Sequence, residues 1–278
     1  MSSEKELAPI TRDNLNEYLK DLAKEFRKLN GTKTPAEIIL VGGAAVLAGY
    51  GFRDLTYDVD AVIIASSAMK DAISRISDKH SLPHGWLNAD FKRTASYSDK
   101  LPGISVYYKT FSNIVTVRTV TAEYLLAMKL MSGRRYKNDL SDIVGILWEH
   151  QKSGNPISLE AVKNAVASLY GVSAVIPETS SQLLDAVFAV GDYESLYKYT
   201  RKSELDSKEL LLEFERKYPN VMKNEDIDGI LSTSRYRNSG VQKESMLAKL
   251  EEKKRLVAET ETKQSPADSS KRLNDGHD

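Results

Sequence analysis

The amino-acid sequence predicts an α+β fold, on three observations. Two short apolar runs, 38–41 and 61–64, are typical of buried strands. Segments with apolar residues at helical spacing precede, separate and follow these runs. Beyond residue 156 only the helical pattern remains, which predicts a helical C-terminal region.

The first half of the chain is predicted to interleave helices with strands. Helices are predicted at 12–30, 44–48, 67–77, 122–132 and 137–151, and strands at 36–41, 58–64, 104–109 and 114–120. In the first helix, Leu15, Leu19 and Leu22 recur at helical spacing, and Gly31 supplies a C-terminal stop. The stretch 78–103 is rich in Ser, Pro, Gly and Asp and predicts no regular element.

The second half is predicted to begin at a linker, Gly154-Asn155-Pro156. We therefore expect one domain over residues 1–153 and a helical domain over 154–234. A charged arm with a disordered tail is expected over 235–278, where large apolar residues are sparse. Helices are predicted at 157–170, 180–200 and 207–218.

The composition limits the functional classes. The chain has 278 residues, 41% of them hydrophobic, and a formal net charge of zero, so no global charge draws it to nucleic acid. The absence of cysteine excludes disulfides and thiolate metal sites. The N-terminus lacks a signal-peptide core, and no apolar stretch approaches the ~20 residues that span a bilayer. We expect a cytoplasmic protein without membrane contact.

Two small motifs indicate the chemistry. Gly42 and Gly43 end the first apolar run, and Asp58 and Asp60 precede the second. On a strand the two aspartates point to the same face, since side chains alternate with period two. Paired carboxylates suit a magnesium ion, and a glycine pair lets the backbone approach a phosphate closely. Together the motifs predict a metal-dependent nucleotide enzyme.

These motifs resemble those of the DNA polymerase β-like nucleotidyltransferase superfamily, in particular its minimal and AbiEii-toxin-like branch. The resemblance covers roughly residues 36–150. It includes the glycine pair, Arg53 and Thr56 ahead of the acids, and a later helix carrying Lys129. It implies a palm, which is a small mixed sheet flanked by helices, with an NTP as substrate and Mg²⁺ or Mn²⁺ as cofactor.

The resemblance and the chemistry of nucleotidyl transfer assign roles to these residues. Asp58 and Asp60 are expected to bind the metal, which stabilises the attacking and leaving oxygens at the α-phosphate. Backbone N–H groups of Gly42 and Gly43 would cradle the β and γ phosphates. Predicted neutralising cations are Arg53, as a bidentate fork, and Lys129, as a point charge. Thr56 either bonds a phosphate or shapes the turn.

The remaining acids of interest follow Lys129 or lie in the stretch 78–103. The family pattern implicates the acids after the lysine, here Asp139 and Asp142, in activity or in holding that helix; they also fit ordinary first-turn acids of a helix. Polymerase β-like enzymes usually place a third carboxylate on a later strand, yet 113–120 contains no acid. Asp90, from a loop, is the predicted third metal ligand, with Asp99 as the weaker candidate.

Other side chains have plainer interpretations. Arg134, Arg135 and Lys137 fit a solvated helix end and an RNA or phosphate contact equally well. The histidines His80, His84 and His150 lack metal-ligand spacing and are expected to be structural or surface residues. The tyrosines around 193–199 are expected to pack rather than to stack on nucleic acid.

Three functions remain open at this point. The leading hypothesis is a nucleotidyltransferase that moves an NMP from an NTP to an RNA (tRNA) or protein acceptor. The resemblance also implies a toxin neutralised by a cognate antitoxin. The alternative is a catalytically impaired module that acts by binding a nucleotide or partner. A kinase using the same metal site is a third reading.

Overall fold

The computed structural model describes residues 9–132, 139–219, 221–222, 227 and 229–231. Strands and helices alternate in the first half of the chain, and helices follow in the second. This arrangement confirms the predicted α+β class and the helical C-terminal region. The predicted arm and tail, 235–278, and the basic residues Arg134, Arg135 and Lys137 lie outside the described residues.

The elements agree with the sequence predictions to within a few residues in most cases. The strands are β1 (Ile10–Thr11), β2 (Ala36–Leu40), β3 (Leu55–Thr56), β4 (Val59–Ile64), β5 (Leu87–Asn88), β6 (Val106–Phe111) and β7 (Val115–Thr119). The helices are α1 (Arg12–Asn30), α2 (Gly42–Gly49), α3 (Ala68–His80), α4 (Leu101–Ile104), α5 (Ala122–Ser132), α6 (Asp139–Lys152), α7 (Leu159–Tyr170), α8 (Glu178–Val190) and α9 (Tyr193–Lys217), and a 3-10 helix spans Asp90–Arg93.

The sheet topology determines where the two motifs meet. Five strands form a mixed sheet in the order β5-β4-β2-β7-β6, and β1 pairs separately with β3. The central strand β2 is antiparallel to β4 and parallel to β7. The end of β2 and the start of β4 therefore share one edge of the sheet. There the backbone N–H of Val41 donates to the carbonyl of Asp60 at 3.0 Å, which brings the acids beside the glycine pair.

Helix α1 begins and ends where its sequence signals predict. Thr11 and Asn14 form a reciprocal capping box, in which the Asn14 side chain accepts from Thr11 N–H at 2.7 Å. Gly31 follows the last turn with φ +73° and donates its N–H to the carbonyl of Arg27. The buried face of α1 packs against α3 and anchors this helical layer to the sheet.

The stretch 78–103 contains short elements that its composition does not reveal. β5 pairs in parallel with β4 and places Asn88 opposite Asp60. α4 begins with Leu101 and Pro102, which explains why β6 starts at Val106 rather than at the predicted residue 104. The predicted turn between β6 and β7 is confirmed: Ser112 and Asn113 both have positive φ, as a tight hairpin requires.

The C-terminal helices divide at a different place from the predicted one. The sequence predicts helices over 180–200 and 207–218, whereas the break lies at Gly191 and α9 then continues without interruption to Lys217. Gly191 closes α8 with φ +66°, and the Asp192 carboxylate caps α9 by accepting from Ser195 N–H at 3.2 Å. A capping pair therefore overrides a continuous apolar pattern.

The predicted boundary at Gly154 coincides with the loop between α6 and α7. Gly154 has φ +76° there, which ends the preceding turn. The buried residues on both sides of this loop nevertheless form one cluster, from Ile10 to Leu196, because α7 packs against α5. Over the ranges described, no helix combines the length and the apolar surface needed to cross a bilayer.

Candidate active site

A cavity of about 560 Å³ lies at the sheet edge where β2 ends and β4 begins. This volume is in the range of small-molecule sites. The residues that line it are Gly42, Gly43, Arg53, Leu55, Thr56, Tyr57, Asp58, Asp60, Phe91, Ser96, Leu125, Met128, Lys129, Ser132, Asp139, Asp142, Arg201, Leu205 and Lys208. The structure thus brings the predicted site residues together around one cavity, apart from Asp90.

The acid pair occupies the start of β4. Asp58 is exposed just before the strand, and Asp60 is half-buried within it. Thr56 is buried, and its hydroxyl donates to the backbone carbonyl of Asp58 at 3.1 Å. Of the two roles considered for Thr56, this geometry favours shaping the turn that presents Asp58 to the cavity.

The glycine pair is required by two different contacts. Gly42 has φ +56°, a conformation that L side chains rarely adopt, and a Cβ there would lie 3.4 Å from Asp60 Oδ2. A Cβ on Gly43 would lie only 2.7 Å from Arg53 Nη2. The backbone therefore runs directly beside a carboxylate and a guanidinium. Helix α2 begins at Gly42 without a side-chain cap, which leaves this N-terminus suited to a phosphate.

A network of buried charges forms another part of the cavity wall. The Arg53 guanidinium pairs with the Asp142 carboxylate, whose Oδ2 also lies 2.7 Å from Lys129 Nζ. Lys129 Nζ donates to Asp139 Oδ1 at 2.8 Å, and the Ser132 hydroxyl donates to Asp139 Oδ2 at 2.9 Å. These contacts join α5, α6 and the segment before β3. Asp139 therefore neutralises Lys129, and Asp142 neutralises Arg53 and Lys129, within the cavity wall.

Lys129 keeps its charge in this network. Only 7% of the Lys129 surface is exposed to solvent, and this burial alone would lower the pKa of the ammonium group. Asp139 and Asp142 outweigh this effect and that of nearby Arg53, so the pKa of Lys129 is raised. Lys129 is therefore a permanent cation that is already engaged by two carboxylates.

From the sequence, the third metal-binding carboxylate is predicted to be Asp90 or, as the weaker candidate, Asp99. Among the described residues, no group of three His, Cys, Asp or Glu side chains could hold a metal ion. Asp90, the first residue of the 3-10 helix, forms no such group with Asp58 and Asp60, and neither does Asp99.

The neighbouring strand presents a cation instead of an acid. In the sheet register Arg118 lies beside Ile39, and Ile39 lies beside Val62. Arg118 thus shares a face of the sheet with Asp60, two residues before Val62. Its Nε donates to Ser105 Oγ at 2.7 Å and lies 3.3 Å from Glu37 Oε1, which holds the side chain against its own sheet.

Helix α9 forms part of the cavity wall, which was not predicted from the sequence. Arg201, Leu205 and Lys208 line the cavity at positions i, i+4 and i+7 of one helical face. Leu205 is 51% exposed, and Lys208 Nζ lies 5.1 Å from the centre of the exposed Tyr57 ring. The spacing was visible in the sequence, but nothing local indicates which face of a helix turns toward a site.

Aromatic side chains fix α9 to the segment that carries Arg53. The Tyr197 hydroxyl donates to the carbonyl of Phe52 at 2.9 Å, and its ring stacks on Trp148 of α6. The Phe52 ring fits against Gly145 of α6, where a Cβ would approach to 2.6 Å. Tyr197 is therefore a packing residue, as predicted for this cluster.

One acidic side chain of α9 is buried at the start of α6. Glu204 is 8% exposed, and its Oε1 accepts from the backbone N–H of Ser141 at 3.0 Å. Its other oxygen accepts from the Ser141 hydroxyl. Burial raises the pKa of Glu204 to about 7, assisted by the charge of Asp142 and opposed by Ser141 and Arg201.

Two of the histidines considered above, His80 and His150, make structural contacts, as predicted. His80 Nε2 lies 3.1 Å from Asp21 Oδ2, between α3 and α1. His150 Nε2 lies 3.2 Å from the Tyr50 hydroxyl.

Comparison with known proteins identifies a family. The model of the family DUF6036, described as a nucleotidyltransferase of unknown function, matches residues 17–190, more than half of the chain. No curated protein and no solved structure matches significantly. The matched range includes the glycine pair, the acid pair, Lys129 and both acids of α6, and it ends before α9. The chain belongs to the DUF6036 family of nucleotidyltransferases.

Proposed function

We propose that the protein transfers an NMP from an NTP to an RNA (tRNA) or protein acceptor in a reaction that requires Mg²⁺. A hydroxyl oxygen of the acceptor attacks the α-phosphorus and releases its proton to solvent, the bond between the α-phosphorus and the oxygen leading to the β-phosphate breaks, and pyrophosphate leaves. The observation that carries the proposal is the meeting of the glycine pair and the acid pair at one cavity edge. The family match supports the reaction class.

The acid pair fits a magnesium ion delivered with a nucleotide. Mg²⁺ is commonly held by one or two carboxylates together with substrate phosphates and water. Asp58 and Asp60 provide such a pair, facing the same cavity. Mn²⁺ accepts the same oxygen donors. When bound, the metal would stabilise negative charge on the attacking and leaving oxygens.

The glycine pair and Arg53 fit the triphosphate. The first N–H groups of α2 point out of an uncapped helix N-terminus, where phosphate oxygens are good acceptors. Arg53 lies against Gly43 and can bond phosphate in a bidentate manner. Lys129 of α5 pairs with Asp139 and Asp142, and these ion pairs hold α5 against α6 beside the glycine pair.

The remaining wall receives the nucleoside or the acceptor. Tyr57 and Leu205 offer exposed apolar surface, and Arg201 and Lys208 add positive charge. Such a mixture accepts a base and a phosphate together. The resemblance to AbiEii-like toxins predicts in addition a cognate antitoxin partner. The family match reaches the level of nucleotidyltransferase, so the toxin role stays a prediction.

A second candidate is a nucleotide-binding module with impaired turnover. It is favoured by the observation that the described residues provide two acids and not three at the metal site. Arg118 on β7 shares the acid face but is bonded to Ser105 and paired with Glu37. In this reading Mg²⁺ and NTP bind, and no nucleotide is transferred.

Labelling with each α-³²P NTP tests the proposal. The purified protein is incubated with Mg²⁺, total tRNA and cell lysate, and products are resolved on RNA and protein gels. We expect label on RNA or on a protein band, lost in the double variant Asp58→Ala/Asp60→Ala. Removing two neighbouring like charges should leave the fold intact.

The matched control is Asp71→Ala/Asp78→Ala, which removes two exposed acids from α3 and should label as the wild type does. Undiminished labelling by the Asp58/Asp60 variant contradicts the metal assignment. Mg²⁺-dependent NTP binding without any labelled product supports the second candidate.

A further inference from the structure

The link between α9 and α6 is a buried hydrogen-bonded contact through Glu204. Backbone N–H groups in the first turn of a helix have no intrahelical acceptor. Ser141 is the third residue of α6, and Glu204 accepts both its N–H and its hydroxyl. A residue of a distant helix thus caps α6, in a place where a local side chain usually does so.

The capped turn is the one that carries the site acids. Asp139 and Asp142 lie two residues before and one residue after Ser141. They bond Lys129, and Asp142 also bonds Arg53, whose guanidinium leaves no room for a Cβ at Gly43. Glu204 is therefore connected to the glycine pair through the first turn of α6 and the ion pairs that this turn carries. A shift of the first turn of α6 would move both carboxylates and the cations that they hold.

We propose that Glu204 is a positioning residue for nucleotidyl transfer, which clamps α9 onto α6 and thereby holds the Asp139, Asp142, Lys129 and Arg53 network in its active arrangement. The role in transfer rests on the proposed function, whereas the clamp itself does not. Glu204 and the cavity-lining residues of α9 lie beyond residue 190, where the family match ends. The α9 side of the clamp therefore lies outside the matched range, whereas Ser141 lies within it.

The state of the clamp depends on pH. The groups that face Glu204 are the Ser141 donors and the Asp142 carboxylate from α6, and Arg201 from its own helix. With its pKa near 7, Glu204 changes charge within the working range of most enzymes. The acid form accepts from Ser141 N–H with one oxygen and can donate its proton to the Ser141 hydroxyl with the other. Ionisation instead places a buried negative charge beside Asp142, so the clamp is strongest when Glu204 is protonated and weakens as the pH rises through about 7.

Hydrogen exchange and steady-state kinetics of the full chain test the clamp. The variants are Glu204→Ala, which removes both acceptors, and Glu204→Gln, which keeps one acceptor and cannot ionise. Glu209→Ala, an exposed acid of the same helix, is the control. We expect Glu204→Ala to accelerate amide exchange in the first turn of α6 and to lower kcat at least tenfold, and Glu209→Ala to change neither.

Glu204→Gln distinguishes positioning from simple stabilisation. Because its neutral amide imitates the protonated acid, we expect it to restore exchange protection and much of kcat, and to abolish the fall of kcat above an apparent pKa near 7. If Glu204→Ala does not fold, Glu204→Gln and Ser141→Ala carry the test, because Ser141→Ala removes one donor and should weaken the same fall of kcat.

If Glu204→Ala shows the same amide exchange in α6 and the same kcat as the wild type, the proposal is overturned. An unchanged pH profile in Glu204→Gln also overturns it. If the wild type transfers no nucleotide, the proposed function fails on its own, and the clamp is still decided by exchange in α6.

Discussion

At the scale of single residues, the site depends on how little space Gly43 leaves. A side chain there meets the Arg53 guanidinium, and Arg53 cannot retreat without breaking its pair with buried Asp142. The glycine therefore serves a close approach between backbone and cation rather than an unusual φ, which is the role of Gly42.

Gly43→Ala is expected to destabilise the fold by about 1–3 kcal/mol and to weaken NTP binding, because the new Cβ displaces Arg53. Thermal unfolding and nucleotide titration measure the two effects. Gly49→Ala is the control, since that glycine belongs to the same helix and a Cβ there meets nothing within 4 Å. Equal behaviour of the two variants would contradict this account of Gly43.

At this scale the sequence predicts a residue well when its signal is local. The glycine pair and Asp58-Val59-Asp60 are recognisable from spacing alone, and the structure places both motifs at one cavity. The pairing of Lys129 with two acids, and the burial of Glu204 against Ser141, depend on how helices meet. The spacing of apolar residues along the sequence does not indicate which helices pack against each other.

At the scale of elements, buried charge joins α5 to α6. Lys129→Met is expected to cost about 3–5 kcal/mol of unfolding free energy, since the buried carboxylates of Asp139 and Asp142 each lose a cation. Because the pKa of Lys129 is raised in the folded state, its charge stabilises the fold fully below the ordinary lysine pKa, and this stabilisation is lost only at higher pH. The variant should therefore be less stable than the wild type at neutral pH. Urea unfolding at pH 7 measures the difference.

Lys198→Met is the comparison for Lys129→Met. Lys198 pairs with Glu194 one turn away on the exposed surface of α9. An exposed pair of this kind contributes less than about 1 kcal/mol. Equal losses for the two variants would show that the Lys129 network is no stronger than a surface ion pair.

The raised pKa of Glu204 predicts a pH-dependent stability. A carboxyl whose folded pKa exceeds its unfolded value stabilises the fold most when protonated, below about pH 4.5, and this contribution is lost as the pH rises to about 7. Glu204→Gln cannot ionise, so its stability relative to wild type should rise over this interval, by at most about 3 kcal/mol, and level off above it. A pH-independent difference between the two proteins would refute the shift.

At the scale of the whole molecule, the family match ends before α9, although α9 is packed into the same structure. Residues 17–190 match the nucleotidyltransferase model, yet α9 packs along α6, bonds the carbonyl of Phe52 and lines the cavity. The sequence predicted the strands at 36–41, 58–64, 104–109 and 114–120 to within about two residues, because their apolar runs are continuous. It wrongly predicted a helix break between residues 200 and 207, whereas the break lies at Gly191 and Asp192, which cap the two helices.

Truncation after Val190 is expected to lower the unfolding temperature, although it keeps the whole matched range. It uncovers Trp148 and Phe52 and removes the cap of α6. Tyr197→Ala in the full chain should give a smaller change in the same direction, because it removes one anchor of α9. Unfolding temperatures equal to that of the wild type would show that α9 is an accessory helix.

The central claim is nucleotidyl transfer, and the fate of the two ends of the triphosphate tests it most directly. Parallel reactions with α-³²P and γ-³²P NTP, Mg²⁺, total tRNA and lysate reveal which phosphate reaches the acceptor. We predict α label on the acceptor and γ label released as pyrophosphate. Gamma label on the acceptor would instead identify a kinase, and its absence from pyrophosphate would contradict the account.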